Sequence, residues 1–96
     1  PVLYRHICKA GAARFARWAR NVWGIVPKDS DEETALAGVE ALAAFIREIG
    51  LPTTFAQLGI PADTDLRAIA ESTNITAGCC RKLTGDEIYE ILCECK

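Results

Sequence analysis

The stretch IGLPTTFAQLGI, residues 49–60, with ESTNITAGCCRKLTGDEIYEIL, residues 71–92, decides how this chain folds. It is a succession of helix stops, turns and helix starts. Gly50-Leu51-Pro52 predicts the end of one helix, because glycine takes the left-handed conformation without a side-chain penalty and proline cannot resume helical hydrogen bonding. Thr53 or Thr54 then caps a short helix through Leu58, which Gly59-Ile60-Pro61 ends in the same way. Asp63 or Thr64 is expected to start another helix carrying Leu66, Ile69 and Ala70. Ser72, Thr73, Asn74 and Thr76 lead from it into a turn at Gly78. Thr84-Gly85-Asp86-Glu87 reads as a capping box, with the threonine hydroxyl and the Glu87 carboxylate each accepting from the other's backbone amide. The last helix then runs on Ile88, Ile91, Leu92 and Cys95.

Upstream, every segment with a period has the helical one. Phe15, Trp18, Ala19 and Val22 fall at three- and four-residue steps and predict one apolar stripe between Ala12 and Trp23, while Arg14, Arg17 and Arg20 repeat on another side. Gly24 ends that helix and Pro27 forbids its resumption. A shorter helical segment, Val2 to Lys9, precedes it across Gly11. Ser30-Asp31-Glu32-Glu33 is a second capping-box signal, with carboxylates suited to the positive end of a helix. The helix it opens should bury Leu36, Val39, Leu42, Ala43, Ile46 and Ile49. No segment alternates like a strand. The expected fold is therefore all-α, a compact array of about five to six short helices whose short connections favour antiparallel neighbours.

Composition fits one small domain or part of one: the chain has 96 residues and half of them are hydrophobic. No apolar run approaches the ~18 residues a membrane span needs. The basic N-terminal segment lacks a cleavable apolar core, so a cytoplasmic protein without membrane attachment is expected. Charge is divided along the chain: the first 28 residues hold six Lys or Arg and no acid, and all 13 acids come later. A basic helix beside Trp18 and Trp23 suits nucleic acid, but a net charge of −2 and a pI of about 5.3 argue against a dedicated phosphate binder. The arginines read as a solvated face, and no nucleic-acid partner is expected. Cys8, Cys79, Cys80, Cys93 and Cys95 are an odd set, better suited to reduced thiols than to a disulfide framework. Zinc is disfavoured too, because the cysteines are adjacent or separated by one residue rather than by two to four. A stand-alone helical protein-interaction or regulatory module is one function class compatible with this pattern.

The quoted segments, with RFARWARNVWGI at residues 14–25, resemble the C-terminal end of the iron-dependent (group III) alcohol dehydrogenases, the butanol dehydrogenase type in particular. The likeness covers nearly the whole chain. It implies that residues 1–96 are the C-terminal portion of the all-helical metal-binding domain of a dehydroquinate synthase-like fold. The parent would be an oxidoreductase that interconverts alcohols and aldehydes by hydride transfer with NAD(P), using a divalent metal, iron or zinc. The Rossmann-like domain, the cofactor site and the Asp and His metal ligands would lie upstream. His6 is not in the family's HG motif and is expected to be a surface or half-buried residue. No catalytic, cofactor-binding or metal-binding residue is therefore expected in this window, and the fragment alone should be inactive. The family's glycine turn before the last helix, commonly GGFKKLT, corresponds to Gly78, Cys79, Cys80, Arg81, Lys82, Leu83 and Thr84, with Cys79 replacing a glycine and Cys80 the aromatic. That turn implies Thr76, Ala77 and Gly78 as lining of the substrate pocket. The implied partners are the remainder of the parent enzyme and a small alcohol or aldehyde. Separation from the parent should also expose Leu3, Phe15 and Trp18 and promote self-association.

Overall fold

Glycines in the left-handed region and side chains that cap amides set most of the helix boundaries. The computed structural model describes residues 1–74 and 80–96. Among these described residues it has five α-helices and no strand: α1 (Val2–Ile7), α2 (Ala12–Trp23), α3 (Asp31–Glu48), α4 (Leu66–Ser72) and α5 (Gly85–Glu94). None of these helices is long and apolar enough to cross a membrane. The predicted stops at Gly24, Gly50 and Gly59 take φ of 65°, 80° and 79°, a conformation that a side chain would strain. The chain divides into two compact units, one of Pro1 and Leu3–Leu51, the other of Val2 and Pro52–Lys96.

In the first unit α2 packs against α3. Their closest approach is at Gly38, where an added Cβ would stand 2.5 Å from the Ala19 Cβ and 3.1 Å from the Ala19 Cα. Ala16 and Ala19 of α2 are buried, as are Ala35, Val39 and Ala43 of α3. This corrects the predicted stripes. Leu36 of α3 and Ile49 at its C-cap are exposed, and Val22 of α2 is 62% exposed. Where two helices meet backbone to backbone, only small side chains fit between them, and larger ones are displaced to the margins. Trp23 lies tilted against Phe45, with ring centroids 5.7 Å apart, and edge-on to Trp18 at 6.1 Å. The Trp23 Nε1 is buried with no hydrogen-bond acceptor among the described residues.

Ser30 caps α3 by accepting from the Glu33 amide at 3.2 Å, so the hydroxyl half of the expected box is formed. Thr34 completes the junction. Its buried hydroxyl donates to the Ser30 carbonyl at 3.0 Å and accepts from the Lys28 amide at 2.9 Å, which ties the 24–30 link to the helix start.

In the second unit α4 packs against α5, with Leu66, Ala70 and Ile91 buried. The short helix predicted from Thr53 or Thr54 is instead a set of turns over residues 54–59. Thr54 does accept from the Gln57 amide at 3.2 Å, but Gly59 arrives before an α-helical run can propagate. The start of α4 is also later than expected. Asp65, not Asp63 or Thr64, is the cap, accepting from the Ala68 amide at 3.0 Å, while the Thr64 hydroxyl donates back to Pro61 at 2.7 Å.

Candidate functional site

The residues singled out by the resemblance, Thr76, Ala77 and Gly78, lie outside the described residues, as does Cys79. Both flanks of that segment are defined. On the upstream side α4 closes through its own hydroxyls: Ser72 and Thr73 both donate to the Ile69 carbonyl, at 2.7 and 3.1 Å. Thr73 then leaves the helix in an extended conformation.

The downstream side is anchored more heavily. Thr84 Oγ1 accepts from the Glu87 amide at 3.2 Å and the Glu87 carboxylate accepts from the Thr84 amide at 3.1 Å, the complete capping box read from the sequence. The Arg81 guanidinium donates to the other Glu87 oxygen. Arg81 first, and the Thr84 amide with it, hold the Glu87 carboxyl below its ordinary range. Arg67 of α4 reaches Asp86 at 2.7 Å and lies over the Tyr89 ring, 3.9 Å from its centroid. Both carboxylates in the first turn of α5 therefore face guanidinium groups. Glu87, lowered in this way, is an ionised anchor at neutral pH and is poorly matched to proton transfer, which needs a group titrating near the working pH.

The Cys95 thiol and the Tyr89 phenol are also unactivated. The hydrogen bond between Tyr89 and Cys93 pushes the Tyr89 hydroxyl upward, and burial pushes the Cys95 thiol upward. The thiolate is the reactive form of cysteine, so burial works against a nucleophilic role at Cys95. Cys8 is buried, and its thiol lies 3.7 Å from the Arg5 carbonyl. His6 is half-buried on α1. Among the described residues no three or more His, Cys, Asp or Glu side chains gather into a metal-donor set.

Two concavities have no counterpart in the sequence reading. The first is an apolar cleft of about 330 Å³ bounded by Phe55, Ile60, Pro61 and Leu66, with Lys96 at its edge. It exists because the Phe55 amide donates to the Cys95 carbonyl at 2.8 Å, which fastens the 54–59 turns to the end of α5. The second is a cup of about 200 Å³ lined by Tyr4, Arg14, Phe15 and Trp18 in the first unit. Phe15 and Trp18 had a helical-period signal; Tyr4 had none, because its place depends on how the turn through Gly11 aims α1.

No family model, curated protein or solved structure matches this chain.

Proposed function

We propose that residues 1–96 are the C-terminal portion of the helical metal-binding domain of an iron-dependent alcohol dehydrogenase, with the antiparallel helix arrangement of a dehydroquinate synthase-like fold. In this reading the parent protein transfers hydride between NAD(P) and a small alcohol or aldehyde. A divalent metal, iron or zinc, would polarise the substrate oxygen from ligands supplied upstream. Thr76, Ala77 and Gly78 would line the substrate pocket, and α4 with the capped start of α5 would hold the two ends of that segment. What supports the reading is one observation: residues that carry the resemblance also set the ends of α2 and α3 and the start of α5. Gly24 and Gly50 each take a left-handed φ just past a helix end, and Thr84 with Glu87 forms the complete box.

A second reading, a stand-alone helical interaction or regulatory module, is favoured by exposed apolar side chains in both units, among them Val26 at 75% and Leu58 at 61%. The coding sequence upstream of Pro1 separates the two. The enzyme reading expects an open frame carrying a glycine-rich nucleotide loop, then an Asp followed by His, then an HG motif. An initiation codon directly ahead of Pro1 would remove the enzyme reading and leave the module.

A further inference from the structure

The cup in the first unit has a composition that defines a ligand class, independently of the alcohol dehydrogenase reading. Three of its four walls are aromatic. Tyr4 and Phe15 meet at 5.3 Å and 74°, Tyr4 and Trp18 at 5.9 Å and 88°, and Phe15 and Trp18 at 5.9 Å and 90°. Rings so arranged present both faces and edges, and a flat aromatic group entering the cup continues the same edge-to-face pattern. The fourth wall is Arg14, an exposed guanidinium. Among the described residues no carboxylate forms an ion pair with it or with Arg17, one turn further along α2. The segment around the cup holds six Lys or Arg and no acid in its first 28 residues.

We propose that this cup binds a small aromatic anion, its flat ring system against Tyr4, Phe15 and Trp18 and its anionic group on Arg14. The sign follows from charge. A quaternary ammonium, the usual guest of an aromatic cage, would meet Arg14 and Arg17, which no carboxylate offsets among the described residues. An anion cannot sit over a ring face, whose quadrupole is negative, so its charged group must project sideways to the guanidinium. Size follows from volume. At about 200 Å³ the cup is below the range of roughly 300–1,000 Å³ typical of sites for drug-sized ligands, so it takes a one- or two-ring group. A second copy is a poorer occupant, because two such faces meeting about a two-fold axis bring the Arg14 and Arg17 guanidiniums of both copies into one interface. A nucleic-acid strand needs a row of stacking platforms along a basic groove, and one cup on a chain of net charge −2 does not provide it.

The test is a titration of the purified chain with three isosteres, naphthoate, naphthamide and naphthylmethylammonium, followed by calorimetry and by the indole N–H resonances of Trp18 and Trp23. Naphthoate is expected to bind with one site per chain and to shift the Trp18 resonance more than that of Trp23. Because exposed ion pairs are modest, the neutral amide should bind about 3- to 5-fold more weakly, and the ammonium more weakly still. Arg14→Ala should remove the preference of acid over amide, and Arg14→Lys should keep part of it. Tyr4→Ala, at a partly exposed ring, should weaken both acid and amide by about 2- to 10-fold while circular dichroism stays unchanged. Equal affinity for acid and amide, or affinities unmoved by both Arg14→Ala and Tyr4→Ala, would overturn the proposal. So would a Trp18 shift that depends on protein concentration alone, which assigns the cup to a second copy, or tighter binding per site by oligo-dT than by naphthoate, which assigns it to nucleic acid.

Discussion

The two units are held together by different means. In the first, α2 and α3 meet at Gly38 so closely that Ala19 leaves no room for a single added carbon. In the second, Leu66, Ala70 and Ile91 alone are buried among the described residues, and the helices are fixed by the Asp65 cap, the Thr84–Glu87 box and the pairs Arg67–Asp86 and Arg81–Glu87. One half depends on shape and the other on local polar contacts. Shape is intolerant of volume changes, whereas caps and exposed pairs fail in small, separable steps.

The largest expected effect is at the helix crossing. Gly38→Val puts its Cβ 2.5 Å from that of Ala19 and further methyls against Trp18, so α2 and α3 must separate. A loss of about 3 kcal/mol is expected, the upper part of the range for overpacking, read as a lower urea midpoint by tryptophan fluorescence. Both tryptophans are in the first unit, which makes this signal specific to it. An unchanged midpoint would mean that the two helices are not held at this distance.

Thr84→Ala is the matching change in the second unit. It removes the hydroxyl that accepts from the Glu87 amide and should cost about 1 kcal/mol. Amide hydrogen exchange in the first turn of α5 should accelerate, with α2 and α3 unaffected. Exchange rates raised equally in all helices would erase the contrast between the units.

Acid gives a smaller effect, present in both. Arg5, by its hydrogen bond, lowers the Glu40 carboxyl from its ordinary 4.5, and Arg81 does the same to Glu87. A carboxylate lowered on folding adds stability at pH above its unfolded value, and that contribution is lost as pH falls through the lower folded value. Stability should therefore decline from about pH 4.5 downward, and Arg5→Gln should flatten the part of that decline that fluorescence reports. Glu40 is exposed and Glu87 half-buried at the surface, so the effect should be small and should shrink further in concentrated salt. An acid limb of the same slope in Arg5→Gln would assign it to other groups.

The legible parts of the fold were those decided by one residue's own chemistry. Gly24, Gly50 and Gly59 announced their φ, and Ser30 and Thr84 announced their caps, because each depends on a few neighbours in the chain. The faces of α3 were less legible. Periodicity placed Leu36 and Ile49 inside, but which face is buried depended on Gly38 finding Ala19 across the crossing, a contact that no single helix encodes. Asp65 displaced Asp63 and Thr64 as the cap of α4 because Thr64 is occupied with Pro61. The candidate pocket residues Thr76, Ala77 and Gly78 rested on resemblance alone, since a glycine in a polar turn carries no chemistry of its own. The aromatic cup was half visible in the spacing of Phe15 and Trp18, and its remaining ring comes from another helix.

The most direct test of the proposed function is an assay of the entire polypeptide encoded by the reading frame that contains these residues, beside residues 1–96 alone. Loaded with iron or zinc, the entire polypeptide should reduce butanal with oxidation of NADH or NADPH, and residues 1–96 should show no rate above a heat-killed control. No NAD(P)H-linked reduction by the metal-loaded whole protein, or equal reduction by residues 1–96 alone, would contradict the account.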